Sequence, residues 1–293
     1  MLSIRKVNSV LGAEIMGIDL SKGIDKPTIQ KINELWLEHE VIFFRNQQLS
    51  PEQHIAFSEQ LGEVEVHVRT DCCKPGYPKL FVVSNIVKNG KLIGAGDAGT
   101  NWHSDGCCVE KPSRGSILYA KVIPEVNGIA LGDTMFSSMT KAYEALPDDM
   151  KVQLNNMRAV NSYVKGYYRP IRVGKRPELT EQQKNKVPDL DIPIVRLHPL
   201  TRKPCLFINE TFTSKIVGMS ETESKEILDY LFKHTTTPSF VYRHKWQKGD
   251  LLLWDNCSTL HCAIADYLPL PRLMERTTIV GTERVTALAA CRT

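Results

Sequence analysis

Three side chains in this sequence are of the right kind to hold a redox-active metal. His103 and Asp105 stand two residues apart in Asn101-Trp102-His103-Ser104-Asp105, and His261 lies far downstream. On a β-strand, residues i and i+2 project from one face, so an imidazole and a carboxylate can converge on one cation without strained backbone. His261 would bring the third ligand from the start of a strand that follows Leu251-Leu252-Leu253-Trp254-Asp255-Asn256. Two histidines and one carboxylate on one face of an octahedral iron(II) leave three adjacent positions open. A 2-oxo acid can chelate two of them and dioxygen can take the last. The His-x-Asp pair is weak when taken alone. A chain with eight histidines supplies one by chance roughly 0.4 times, and a lone histidine is more often a hydrogen-bonded structural residue than a ligand. The third member lifts the set above that background.

Arg272 and Arg276 follow His261 closely. The far carboxylate of a dicarboxylic 2-oxo acid needs a fixed cation, and the planar fork of arginine offers two parallel charge-assisted hydrogen bonds. If residues 273–280 form a strand, Arg276 shares a face with Met274, and Arg272 at the strand start can point the same way. Two inward arginines are costly to bury without anionic partners.

These residues need a scaffold, and the sequence outlines one. Residues 1–20 read as two short strands with Gly12 and Gly17 at turns. Ile29, Ile32, Leu35 and Trp36 recur at helical spacing within 27–40, and Val41-Ile42-Phe43-Phe44 reads as a buried strand. Ser50, Pro51 and Gln53 form the signature of a capped helix start, with Gly62 as its stop. Strands are expected at 80–83, 116–122, 192–197 and 206–209, a loop at 88–101, and helices at 138–146 and 148–157. Ser220 with Glu223 caps a further helix. The last seventy residues read as strands at 240–244, 251–254, 261–263 and 273–280. Helices concentrated early, with many short strands elsewhere, predict one α+β, mainly β domain spanning 1–293 around an antiparallel double sheet. A doubly wound sheet would need regular strand–helix alternation and a phosphate-binding glycine loop, and neither is present. The stretch 161–190 is polar, aromatic and basic without sustained periodicity, and reads as a long insertion.

Composition narrows the partners. A net charge of +4 spread along the chain does not mark a nucleic-acid binder. Eight cysteines without a Cys-x-x-Cys spacing point to reduced thiols rather than a disulfide framework or a zinc ribbon. The N-terminus lacks the apolar core of a signal peptide, and no run is long enough to span a bilayer. The expectation is a cytoplasmic protein acting on a small molecule, with no nucleic-acid or membrane partner and with homo-oligomer formation left open.

Trp102-His103-Ser104-Asp105, Gly132-Asp133-Thr134, Gly249-Asp250, Trp254-Asp255-Asn256, His261, Arg272 and Arg276 occur in an order and spacing that resemble the taurine dioxygenase and phenoxyacetate dioxygenase family of iron(II)/2-oxoglutarate enzymes. The resemblance runs from Leu11 to about Gly281. It implies a jelly-roll (double-stranded β-helix) core with flanking helices, with Fe(II) as cofactor and 2-oxoglutarate and O2 as cosubstrates. By position it implies His103, Asp105 and His261 as iron ligands and Thr134 and Arg272 as the 2-oxoglutarate anchor. Within the taurine branch, His67, Phe212 and Arg276 match substrate-contacting positions. Gly99 stands where that branch has an asparagine, Thr70 where it has a tyrosine, and Cys257 where an arginine commonly follows the Trp-Asp-Asn motif. The substrate therefore stays open among sulfonates, carboxylates and amino acid derivatives, as does the choice between hydroxylation and desaturation or oxidation next to nitrogen.

Two other classes compete. A jelly-roll binding protein would hold a ligand in the same pocket without turnover, and a zinc hydrolase would use the triad to activate water. Neither needs the dicarboxylate anchor that Thr134 and Arg272 represent. For the basic-aromatic run within the insertion (Tyr163, Lys165, Tyr167, Tyr168, Arg169, Arg172, Lys175 and Arg176) a solvated loop is the default reading, and a lid over an anionic substrate is a better functional reading than a nucleic-acid contact.

Overall fold

A computed structural model of the chain describes residues 2–67, 69–96, 99–169 and 178–288. Arg172, Lys175, Arg176 and Cys291 lie outside them. The largest unit is an eight-stranded sheet in the order Ser3–Lys6, Ala13–Met16, Val41–Phe44, Leu251–Asp255, Gly115–Val122, Leu273–Ile279, Tyr77–Ser84 and Cys73–Lys74. All its pairings are antiparallel except that of Ala13–Met16 with Val41–Phe44. A three-stranded sheet, Val241–His244, Thr134–Ser138 and Thr259–Ala263, packs on its inner side.

Val41-Ile42-Phe43-Phe44 and Leu251-Leu252-Leu253-Trp254 are apolar throughout because both of their faces are covered. Ile42, Phe44, Ile117, Tyr119, Leu251, Leu253 and Ile279 point outward against two helices, Lys26–His39 and Pro51–Leu61, which contribute Ile32, Leu35, Trp36, Phe57 and Leu61. Their alternates, Val41, Phe43, Leu118, Ala120, Leu252, Trp254 and Met274, face Phe136, Tyr242 and Trp246 of the smaller sheet and its flank. Each such Leu, Ile or Phe contributes about 1.5–3 kcal/mol relative to an exposed side chain. The alternation has a functional consequence. It places Ser116, Arg276 and, through the Phe136↔His261 register, His261 in the space between the sheets. Thr277 instead turns outward, to Ser58 Oγ at 2.7 Å.

A third cluster joins the helices Met139–Glu144 and Glu221–Thr235 to the strands Arg158–Asn161, Leu190–Pro193 and Thr213–Ile216. It carries the beginning and end of the expected insertion. No helix of the described residues is long and apolar enough to cross a membrane.

Several expectations need correction. His103 and Asp105 do not lie on a continuous strand: His103 forms an isolated bridge to His261, and a turn begins at Asp105. Gly106, at φ +68, lets the chain turn there, and a side chain in its place would collide with Ser113. The loop expected at 88–101 begins within a small hairpin, Val87–Lys88 with Lys91–Leu92. The insertion contains two short helices, Tyr163–Tyr167 and Glu181–Asn185, capped by Ser162 and Thr180. The strands Thr134–Ser138, Arg158–Asn161 and Thr213–Ile216 escaped the periodicity reading because they are short and rich in Ser, Thr, Asn or charged residues.

Candidate active site

His103, Asp105 and His261 converge, with ligand atoms all within 4.8 Å of one another. Backbone hydrogen bonds from His103 N to His261 O (3.1 Å) and from His261 N to His103 O (2.8 Å) pin the two histidines side by side, with rings 4.1 Å apart. A carbonyl oxygen can only accept, so the 2.7 Å contact of His103 Nδ1 with Asn101 O places the proton on Nδ1. The Nε2 lone pair is left facing Asp105 Oδ1 at 3.6 Å. His261 Nε2 lies 4.0 Å from Asp105 Oδ2. Its ring packs beside those of Trp254, at 4.7 Å, and Phe136, at 6.3 Å.

The two oxygens of Asp105 have different neighbours. Oδ2 accepts from Ser116 Oγ (2.7 Å) and Arg276 Nη1 (2.8 Å), and Oδ1 is the oxygen nearest His103. Ser116 in turn accepts from Asn256 Nδ2 at 3.1 Å. Burial alone would raise the Asp105 pKa, but Arg276 and His261 hold it well below the ordinary carboxylate range. Burial, and then His103, push His261 well below its ordinary value. The set is thus a carboxylate and a neutral His261 imidazole beside a second imidazole whose Nδ1 is turned to Asn101 O and whose Nε2 faces the carboxylate. Cis ligands at about 2.1 Å from a metal lie about 3 Å apart, so slight contraction brings all three onto one ion. The donor set suits iron(II).

Arg272, 3% exposed, donates from Nη2 to Gly132 O at 3.2 Å, while its Nε has no partner. No carboxylate forms an ion pair with it among the described residues. Gly132, at φ +79, is a fitted position, since an added Cβ would lie 2.9 Å from Arg272 Nε and 3.0 Å from the Tyr267 ring. Two residues on, buried Thr134 accepts from Trp246 Nε1 at 3.0 Å, which leaves its own O–H to donate. Burial lowers the Arg272 pKa, opposed first by Tyr267. The guanidinium is therefore a buried cation with donor capacity to spare.

The His67 and Phe81 rings meet at a tilt, 4.2 Å between centroids, and the Arg276 guanidinium lies over the same Phe81 ring at 5.1 Å. Burial, and then Arg276, push the His67 pKa down to about 4. Its Nδ1 accepts from Arg69 N at 3.0 Å, so the proton of the neutral ring sits on Nε2. The Phe212 ring meets His103 edge-on at 6.3 Å. The contacts of the eight residues singled out from the sequence fall into two groups: His103, Asp105, His261 and Arg276 around the carboxylate, with Phe212 against His103 and His67 sharing Phe81 with Arg276, and Thr134 with Arg272 close to Gly132.

Sequence reading missed Ser116, although its alternation with Leu118 and Ala120 marks it as inward-facing. It also missed the Asn101 carbonyl, for which no sequence signal exists. His198, taken as a structural histidine without a partner at ligand spacing, pairs with Asp255 at 2.8 Å, close to Cys257. That group is fully buried. Asp255 Oδ1 is taken by Cys257 N at 2.7 Å and Oδ2 by His198, so both oxygens serve the fold. The seven described cysteines are free thiols.

The match to known proteins agrees with this geometry. Residues 3–278 fit the family model described as "Taurine catabolism dioxygenase TauD, TfdA family". An alkylsulfatase from Acinetobacter baylyi is 33% identical over 285 residues, covering 96% of this chain and 85% of the relative. An alpha-ketoglutarate-dependent 2,4-dichlorophenoxyacetate dioxygenase from Cupriavidus pinatubonensis is 32% identical over 265 residues, covering 87% and 89%. The crystal structure of a taurine dioxygenase from Burkholderia xenovorans superposes with a TM-score of 0.80 at 30% identity, covering 96% of this chain and 90% of that one. On sequence, fold and the residues gathered between the sheets, the chain belongs to the TauD/TfdA dioxygenase family.

Proposed function

We propose that this chain is an iron(II)- and 2-oxoglutarate-dependent dioxygenase that oxidises a C–H bond of a small anionic molecule. Hydroxylation is the expected outcome, with succinate and carbon dioxide as co-products. The observation that carries this reading is a buried two-histidine, one-carboxylate set accompanied by a buried arginine that lacks a carboxylate partner among the described residues. A hydrolase or a simple metal-binding fold has no use for that second feature. We read the facing sheets as the double-stranded β-helix core of one domain, with 161–190 as an insertion.

His103 Nε2, Asp105 Oδ1 and His261 Nε2 would hold the metal. The chemistry that a bound iron(II) supplies is activation of dioxygen, coupled to decarboxylation of 2-oxoglutarate. The remaining work falls to the protein. Ser116 and Arg276 hold Asp105 Oδ2, which favours ligation through Oδ1 alone and keeps a neighbouring position open. Arg272 supplies a cation, and the Thr134 hydroxyl a donor, for the distal carboxylate of 2-oxoglutarate. Arg276 Nε, buried and unpartnered, and the Nε2–H of His67 supply donors for a substrate anion, with Phe212 as an apolar wall. The substrates in the relatives' names, an alkyl sulfate, dichlorophenoxyacetate and taurine, all carry an anionic group. No general base is required.

The test is turnover. Purified protein with iron(II), ascorbate and 2-oxoglutarate under air should form succinate when supplied with a substrate from a panel of sulfate esters, sulfonates, aryloxyacetates and amino acid derivatives. Failure to form succinate with any of them, under conditions where a known family member does, would refute the enzyme reading.

A further inference from the structure

The basic-aromatic insertion is not used by the chemistry above, yet its described part is fastened to the metal site. Arg169 donates from Nη2 to Asn101 Oδ1 (3.3 Å) and Glu210 Oε1 (3.2 Å), and from Nη1 to Thr211 Oγ1 (3.4 Å). Thr211 Oγ1 itself donates to Trp102 O at 2.7 Å. One guanidinium thus grips both residues that immediately precede His103: Asn101 directly and Trp102 through Thr211. The helix Tyr163–Tyr167 holds the same loop from another side. Ser162 N donates to Phe212 O at 2.8 Å, and Lys165 Nζ donates to Glu210 O at 3.0 Å. The helix lies so close that a Cβ at Gly166 would overlap the Phe212 ring.

His103 depends on this frame more than a strand residue would. Its backbone is fixed by the isolated bridge to His261 alone. Its ring packs against those of His261 and Phe212, and Nδ1–H donates to Asn101 O at 2.7 Å, the contact that turns Nε2 toward Asp105. A displaced Asn101 would release the ring and allow the proton to move to the nitrogen that must face the metal. Groups that orient a metal-bound histidine typically change metal affinity about 10–100-fold when removed.

Building on the proposed role of His103 as a metal ligand, we propose that Arg169 is a positioning residue for it. Through Asn101, Arg169 makes the insertion part of the frame that holds the imidazole with Nδ1 on Asn101 O and Nε2 facing Asp105.

The test compares Arg169→Ala, Arg169→Lys and Asn101→Ala with the parent protein by three measurements. One is cobalt(II) affinity, a metal probe that needs no turnover. Another is the tautomer of His103 in metal-free protein, read from long-range nitrogen–proton correlations of the histidine rings. The last is the urea midpoint. Arg169→Ala should weaken cobalt(II) binding roughly 3–10-fold, less than loss of a direct partner, and should give His103 a mixed tautomer signature. Its urea midpoint should stay unchanged. Asn101→Ala should do the same, and the double variant should be no worse than either single one. Arg169→Lys, which can reach one of the acceptors, should recover part of the affinity. A lower urea midpoint with cobalt(II) affinity within twofold and an unchanged ring signature would show a merely structural contact and overturn the proposal. His103→Ala separates the two layers. If it loses cobalt(II) binding while Arg169→Ala keeps it, only the positioning role fails. If His103→Ala binds like the parent, the ligand assignment fails and the positioning role falls with it.

Discussion

Replacing Arg272 with glutamine should separate function from stability. Arg272 is 3% exposed, donates from Nη2 to Gly132 O, and has an unpartnered Nε. Tyr267 and, at longer range, Asp133 and Asp266 offset part of its burial, but no ion pair with a carboxylate does so among the described residues, and burial of a charge is costly unless it is paired. Burial accordingly pulls its pKa down. Binding, by contrast, should depend on it. A hydrogen bond to a charged group contributes about 1.5–3 kcal/mol. Losing two parallel bonds to the distal carboxylate of 2-oxoglutarate, each at the lower end of that range, should therefore cost about 3–4 kcal/mol, and each 1.4 kcal/mol is about tenfold in affinity. The Kd for 2-oxoglutarate should rise between 10²- and 10³-fold, on the order of that loss. The free protein should be unchanged or about 1 kcal/mol more stable, as is common where function strains a fold. Calorimetric titration of the manganese(II)-loaded protein with 2-oxoglutarate, beside urea unfolding of the metal-free protein, measures both. A Kd within threefold of the parent would refute the anchor role. A stability loss above about 2 kcal/mol would show that Arg272 is a structural residue instead.

Three further outcomes follow from other contacts. At saturating metal, Arg276→Ala should raise KM for the prime substrate, while also weakening metal binding through the lost donor to Asp105 Oδ2, and Arg272→Gln should raise KM for 2-oxoglutarate alone; steady-state kinetics showing the reverse would exchange their roles. Ser116→Ala removes one of the two donors to Asp105 Oδ2 and should weaken manganese(II) binding by about tenfold, measured by electron paramagnetic resonance titration; an unchanged affinity would remove Ser116 from the site. His54, fully buried, has a pKa pushed down to about 3, first by burial. Its folded pKa is below its unfolded value, so its stabilising contribution is full above about pH 6.5 and is lost as pH falls toward 3. The slope approaches about 1.4 kcal/mol per pH unit. His54→Gln should flatten urea stability between pH 6 and 4, and an undiminished slope would assign the acid sensitivity elsewhere.

Local chemistry was the most legible part of this protein. The capping box at Ser50 and Gln53, the one at Ser220 and Glu223, and the glycine stop at Gly62 are all present. They are legible because capping depends on residues three apart. Apolar runs such as Val41-Ile42-Phe43-Phe44 announced strands covered on both faces, but not which strands would pair. The neighbours of Leu251–Asp255 come from positions 41–44 and 115–122, a choice made by the whole core. The site shows the same division. Side chains two apart in His103 and Asp105 do converge, but an isolated bridge and a turn bring this about in place of the expected strand. The bridge partner is His261 itself, so the pairing that assembles the site exists only in the folded chain. Thr134 was marked by its motif while its strand, Thr134–Ser138, was hidden because it is short and has only two apolar residues, side by side, so no alternation shows. The helices at 163–167 and 181–185 carry Ser162 and Thr180 caps, and a search for caps as well as periodicity would have found both.

The central claim, that His103, Asp105 and His261 hold iron while 2-oxoglutarate completes its coordination, is tested most directly without oxygen. Anaerobic titration of the protein with iron(II) and 2-oxoglutarate should give a visible charge-transfer band that saturates at one iron per chain. The band should be lost in Asp105→Ala, and the circular dichroism of that variant should remain that of the parent. A band of parent intensity in Asp105→Ala, or none in the parent protein, would contradict the assignment.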